Sequence, residues 1–160
     1  MTFSPELESR FANMLQIYPP GRERSAVVPM LIYAQDEVGS ITRELVEEVA
    51  RRCKVTPLQV DEVVGYYSML HTKPAGKYHV QVCTNISCLL VGGEELYEHA
   101  KKKLGIGHKE TAPDGVFSLE EVECMGACSW APAVEINYEF HHHVTPEKLD
   151  MLLDGLRKAQ

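Results

Sequence analysis

The sequence has no long apolar run, no cationic excess and no glycine-rich nucleotide loop, and each absence removes a class of protein. Nowhere among its 160 residues do apolar side chains continue for the roughly 18 positions that a membrane-spanning helix needs, so no direct membrane insertion is expected. Lys and Arg number 16 against 23 Asp and Glu, a formal charge of −7. A phosphate-tracking groove needs the opposite balance, and no nucleic acid is expected as a partner. Gly92-Gly93 and Gly105-Ile106-Gly107 lack the third glycine and the strand-to-helix placement of a dinucleotide fingerprint. The opening MTFSPELESR is polar and acidic where an export signal is basic and then apolar. A reducing, cytoplasmic setting is therefore expected, and disulfides are disfavoured there.

What is present divides at a change of period. Leu7, Phe11, Met14 and Leu15 share one helical face, and Val27, Val28, Leu31 and Ile32 share a second. Thr42 precedes a third apolar series of Leu45, Val46, Val49 and Ala50. In Thr56-Pro57-Leu58-Gln59, Thr56 is a cap, Pro57 suits the first helical position and Gln59 completes a capping box ahead of the stripe Val60, Val63, Val64 and Tyr67. These signals predict a helical N-terminal domain over residues 1–74, with Cys53 as a small buried side chain. His71 to Gly76 reads as the linker.

From Lys77 the period is two. Tyr78, Val80 and Val82 alternate with His79 and Gln81 in a strand that runs into Cys83. Ser87 is expected to cap a helix in which Leu89, Gly93, Leu96, Tyr97, Ala100 and Leu104 share a face, ended by Gly105. A second strand, Val116 to Val122, also runs into a cysteine. Val134 and Ile136 mark a third, Phe140 to Val144 is expected to pair with it, and Thr145-Pro146 opens a last helix. The fold class expected is α+β or α/β: a helical bundle followed, over residues 75–160, by strand, helix, strand, strand, strand and helix, the thioredoxin-like order.

Four of the five cysteines fall in two short chelate loops, Cys83-x4-Cys88 and Cys124-x3-Cys128, with 35 residues between the pairs. Thiolates delivered two and two from the ends of strands form a closed sulfur cage, suited to a [2Fe-2S] cluster or to structural zinc. Spacing alone leaves cluster and zinc open. A redox dithiol is weakened by the four-residue gap. Glu120, Glu121 and Glu123 read as a solvated strand edge whose charge opposes reduction of such a cluster. His141, His142 and His143 alternate sides along a strand and read as an edge or turn, not a second metal site.

The run Gly76 to Cys88, together with Val122-Glu123-Cys124-Met125-Gly126-Ala127-Cys128 and Ala131-Pro132-Ala133-Val134, closely resembles the family of E-type subunits of respiratory NADH:quinone oxidoreductases. Tyr66-Tyr67-Ser68-Met69 and Thr145-Pro146-Glu147-Lys148 extend the likeness over nearly the whole chain. The resemblance implies a thioredoxin-like [2Fe-2S] ferredoxin with a helical extension, and Cys83, Cys88, Cys124 and Cys128 as iron ligands. It also implies a larger flavoprotein partner that holds FMN and binds NADH, with single electrons passing to this chain. The setting it implies is the peripheral arm of a membrane-bound complex, with no NADH oxidation by this chain alone. The helical extension is expected to supply much of the partner interface. Homologous subunits of NAD-linked hydrogenases or formate dehydrogenases share the pattern, and a zinc-stapled interaction module is the alternative from a different class.

Overall fold

The computed structural model describes residues 1–159, and the chain forms two compact units, Met1–Pro74 and Ala75–Gln160. The first holds four helices: α1 (Pro5–Ile17), α2 (Val27–Val38), α3 (Arg43–Cys53) and α4 (Pro57–Tyr66). Their starts are set by side-chain caps. Ser4 accepts from the Leu7 amide, Thr42 from that of Leu45, and Thr56 and Gln59 form the reciprocal box that the sequence announces. The apolar faces of α1 to α4 close on Phe11, Met30, Leu31, Leu45, Val49 and Val60, all fully buried. Each such side chain contributes roughly 1.5–3 kcal/mol by leaving water. Cys53 lies in this core with its Sγ 3.5 Å from Met30 Sδ, and burial pushes its thiol up to about 11. Tyr67 departs from the expected stripe: it is the residue that ends α4, in extended backbone, and it stands partly in solvent.

The second unit is a five-stranded mixed sheet in the order β2-β3-β1-β4-β5, from β1 (Tyr78–Cys83), β2 (Glu110–Thr111), β3 (Phe117–Val122), β4 (Val134–Ile136) and β5 (Glu139–His141). Its helices are α5 (Ile86–Leu90), α6 (Gly93–Leu104) and α7 (Pro146–Lys158). Val80, Val82, Phe117, Leu119, Val134 and Ile136 point into one core. There they meet Leu96, Tyr97 and Ala100 of α6 and Leu149 and Leu153 of α7.

Two local expectations need correction, and one strand was not foreseen. The helix after Cys83 is two helices: Asn85, not Ser87, caps α5, and Gly92 at φ +94° turns the chain before α6 begins. Only glycine takes that backbone angle without strain. The last strand is Glu139–His141, not Phe140 to Val144, because Asn137 and Tyr138 at positive φ make a two-residue hairpin that brings Ile136 opposite Glu139. The two-residue β2 is too short to carry a period and left no sequence signal.

Candidate metal centre

The two cysteine loops leave from one edge of the sheet because the strands that precede them are parallel neighbours. Tyr78 to Cys83 pairs in register with Phe117 to Val122, so Cys83 stands opposite Val122, and Cys124 follows two residues later. Adjacent strands lie about 4.8 Å apart, which fixes the separation of the loops at their origin. Backbone bonds continue past the ladder: Thr84 N–H donates to the Val122 carbonyl and Cys83 N–H to the Ala133 carbonyl.

Cys83 and Cys88 are buried, while Cys124 and Cys128 are exposed, and all four are free thiols. Cys83 and Cys88 pack with Ala127 and Ala133, beside Met125 and Ala131, in a small apolar pocket of their own. Burial pushes the Cys88 thiol up to about 11; the Ala133 backbone opposes the rise, and the neighbouring sulfurs of Cys83 and Cys128 add to it. Those influences put Cys83, Cys88 and Cys128 in one neighbourhood. Cys124 joins from the second loop, where its Sγ accepts from the Gly126 amide at 3.4 Å and Gly126 takes φ +76°. Cys83 Sγ faces the Glu123 carbonyl at 4.0 Å.

The donor set fits a soft metal core. Two buried thiols, Cys83 and Cys88, sit against apolar walls, Cys128 lies near them, and a backbone N–H is aimed at the sulfur of Cys124 on the same loop as Cys128. Among the described residues no three of these sulfurs lie within 4.8 Å of one another.

Glu120 overturns the reading of residues 120, 121 and 123 as a solvated edge. It is 1% exposed, on the face of β3 that shares its side with His79 and Gln81 of the neighbouring β1. Its carboxylate meets His79 Nε2 at 3.0 Å, accepts from Gln81 Nε2 at 3.0 Å and lies 3.6 Å from Lys109 Nζ. Burial pushes the carboxyl up, but the bonds from His79 and Gln81 and the charges of His79 and Lys109 hold it below its ordinary value. Glu121 behaves otherwise: it is exposed and accepts from Thr84 Oγ1 at 2.8 Å, beside the first cysteine loop. No sequence signal separated the two glutamates, since side-chain alternation places them on opposite faces without saying which face is covered. The histidine run sits at the sheet edge and just beyond it: His141 pairs with Val134 in β5, and the His142 ring stacks on Trp130 at 5.0 Å.

Comparison with known proteins identifies the family and the fold. The profile of the thioredoxin-like [2Fe-2S] ferredoxin family matches residues 11–157. The chain is 45% identical over 155 residues to NADH-quinone oxidoreductase subunit 2 of Thermus thermophilus, an alignment covering 96% of this chain and 83% of the relative. It is 40% identical over 160 residues to an E-type NADH-quinone oxidoreductase subunit of Rhizobium meliloti, covering 100% and 92%. Among solved structures, a chain of an NAD+-reducing [NiFe]-hydrogenase superposes with a TM-score of 0.71 at 16% identity, over 83% of this chain and 22% of that one. That likeness is one of fold.

Proposed function

Since the chain belongs to the thioredoxin-like [2Fe-2S] ferredoxin family, we propose that Cys83, Cys88, Cys124 and Cys128 are the ligands of its cluster. The observation that carries the assignment is the parallel register of β1 and β3, which launches both cysteine loops from adjacent strand ends. When bound, a [2Fe-2S] core supplies one-electron storage between its oxidised and reduced states. The chain's own residues do the rest. Ala127, Ala131 and Ala133 with Met125 keep water from the inner sulfurs, the Gly126 amide donates to Cys124, and the adjacent ends of β1 and β3 launch the two loops that carry the thiols.

The protein is an electron-transfer subunit of a multi-subunit NADH-quinone oxidoreductase, in line with relatives at 45% and 40% identity over nearly the full chain. The hydrogenase chain matches at only 16% identity, over a fifth of its length, and the respiratory reading is favoured for that reason. In that assembly a larger flavoprotein subunit binds NADH and holds FMN, and this chain accepts electrons from the reduced flavin one at a time. The helical unit Met1–Pro74 adds partner surface. No helix among the described residues is long and apolar enough to cross a membrane, and a place in the cytoplasmic peripheral arm suits the chain.

Mixing the cluster-loaded chain with NADH tests this reading. NADH alone should leave the visible bands unchanged, and NADH with the FMN-bearing subunit should bleach them. Direct reduction by NADH, or no bleaching with the flavoprotein present, would contradict it.

A further inference from the structure

The backbone of the second cysteine loop is tied only at its ends. Among the described residues, Glu123, Cys124, Met125 and Gly126 make no backbone-to-backbone hydrogen bond, whereas Val122 before them accepts from Thr84 N–H and Ala127 after them accepts from Trp130 N–H. The Trp130 bond closes the short turn Cys128-Ser129-Trp130, which therefore both ends the loop and carries a candidate ligand. Cys83 and Cys88 are fixed by burial, but Cys128 is exposed. Its position depends on whatever holds that turn.

What holds it is the histidine run. Four consecutive carbonyls leaving the turn each accept a hydrogen bond: Trp130 from His143 N–H at 2.9 Å, Ala131 from His143 Nδ1 at 3.2 Å, Pro132 from Val144 N–H at 3.0 Å and Ala133 from Cys83 N–H at 3.2 Å. His143 supplies two of the four, one through its backbone and one through its ring. A carbonyl oxygen only accepts, so His143 Nδ1 carries a proton. The residue takes φ +48°, a left-handed conformation that Asn, Asp and His adopt more readily than other side chains. The His142 ring stacks on the Trp130 indole, 5.0 Å between centroids and 22° between planes. Lys148 Nζ, from the first turn of α7, donates to the His142 carbonyl at 2.5 Å, and His141 pairs with Val134 in the sheet. The clamp is thus anchored at both of its own ends.

We infer that His142 and His143 are positioning residues for Cys128, holding its turn against the sheet through Trp130 and Ala131. This rests on the assignment of Cys128 as a cluster ligand. The two histidines act through the turn and are not ligands themselves. With the clamp in place, Cys128 is set before any metal arrives. Without it, the turn keeps only its own Trp130-to-Ala127 bond, and the exposed thiol can swing away from Cys83 and Cys88. Groups that orient a ligand without touching the metal govern how firmly that ligand holds it.

The test uses the full cluster-loaded chain, reduced anaerobically. Its EPR spectrum is recorded, and iron release to an excess of a ferrous chelator is then followed well below the melting temperature. His143→Ala removes the ring bond and His142→Ala removes the stack. Each should release iron about 10-fold faster, the lower end of what losing a ligand-orienting partner costs, and should broaden the EPR lines of the reduced cluster. His143→Asn keeps an N–H donor in the same place and tolerates the positive φ, and His142→Phe keeps a stacking ring. Both should restore the line shape and bring release to within about 3-fold of the unsubstituted chain, the scale of an ordinary surface change. Leu153→Val, in the core between sheet and helices, should lower the melting temperature and leave both readouts unchanged. Iron release that simply follows the melting temperature across all five variants would overturn the inference, since the histidines would then only support the fold. Unchanged release and line shape in both Ala variants would overturn it too. An unsubstituted chain that holds no [2Fe-2S] cluster would instead sink the ligand assignment, and the clamp with it.

Discussion

A Cβ placed on Gly93 would stand 2.8 Å from both the carbonyl carbon and the oxygen of Cys88, and 2.8 Å from the Cys83 oxygen. The first turn of α6 therefore rests directly on the backbone of the first cysteine loop, and a side chain has no room between them. The contact links the helix that covers the sheet to the position of two candidate ligands. Backbone cannot swing aside as a flexible side chain can, so the loop itself must move.

Gly93→Ala should accordingly cost about 1–3 kcal/mol of stability, the usual range for forcing a methyl into a filled site. Iron content per folded chain should fall as well. Gly65→Ala is the matched comparison: it lies in α4 with nothing within 4 Å of a new Cβ and should raise stability by about 0.5–1 kcal/mol. Thermal melts with iron analysis on both variants check the pair.

Cys→Ala at Cys83, Cys88, Cys124 or Cys128 should each remove or labilise the cluster. Cys53→Ala should keep full iron content and lose only about 1 kcal/mol from the helical core. A Cys124→Ala protein with full iron would count against the ligand set, unless spectroscopy showed an oxygen ligand in its place.

The helical unit should weaken in acid through Glu48. The Arg51 bond, with further help from Arg52, holds the Glu48 carboxyl down at about 2 against ordinary carboxylate values near 4.5, and Arg52 also binds Glu8 through both guanidinium branches. A depressed folded value means stability that is present above about 4.5 and lost progressively as pH falls towards about 2. Glu48→Gln should cost about 1–2 kcal/mol at neutral pH, allowing for solvent screening. It should also flatten that acid limb, as read from melts of the two proteins between pH 7 and 2.

Glu120 should behave in the same sense within the ferredoxin unit. Its carboxyl is held below the ordinary value, so its contribution is present at neutral pH and is lost as pH falls below the usual carboxylate range. Glu120→Leu should destabilise by about 3–5 kcal/mol, because it removes the buried acceptor that His79 Nε2 and Gln81 Nε2 share. Glu120→Gln should cost about 1–3 kcal/mol. A neutral Leu substitution at this position would refute the account of the buried network.

The sequence carried most of the fold because its signals were local. Thr42, Thr56 and Thr145 each cap a helix where their position predicts it, and the alternation of Val80 and Val82 made β1 unmistakable. The cysteine spacing showed which residues to watch. What it did not carry depends on which surface gets covered and where the chain turns. Glu120 and Glu121 are chemically alike, yet one is buried under His79 and Gln81 and the other lies open beside Thr84. The division between α5 and α6 hung on the Gly92 backbone angle, and it is this division that turns Leu89, Leu90 and Val91 outward.

The central claim is that four thiolates at two parallel strand ends hold a two-iron core. An anaerobic visible and EPR spectrum before and after dithionite, with iron and zinc counted on the same sample, tests it most directly. About two irons per chain, charge-transfer bands that bleach and a one-electron paramagnetic signal on reduction are the predicted result. A colourless protein that holds about one zinc per chain and takes up no cluster on anaerobic reconstitution with iron and sulfide would contradict it.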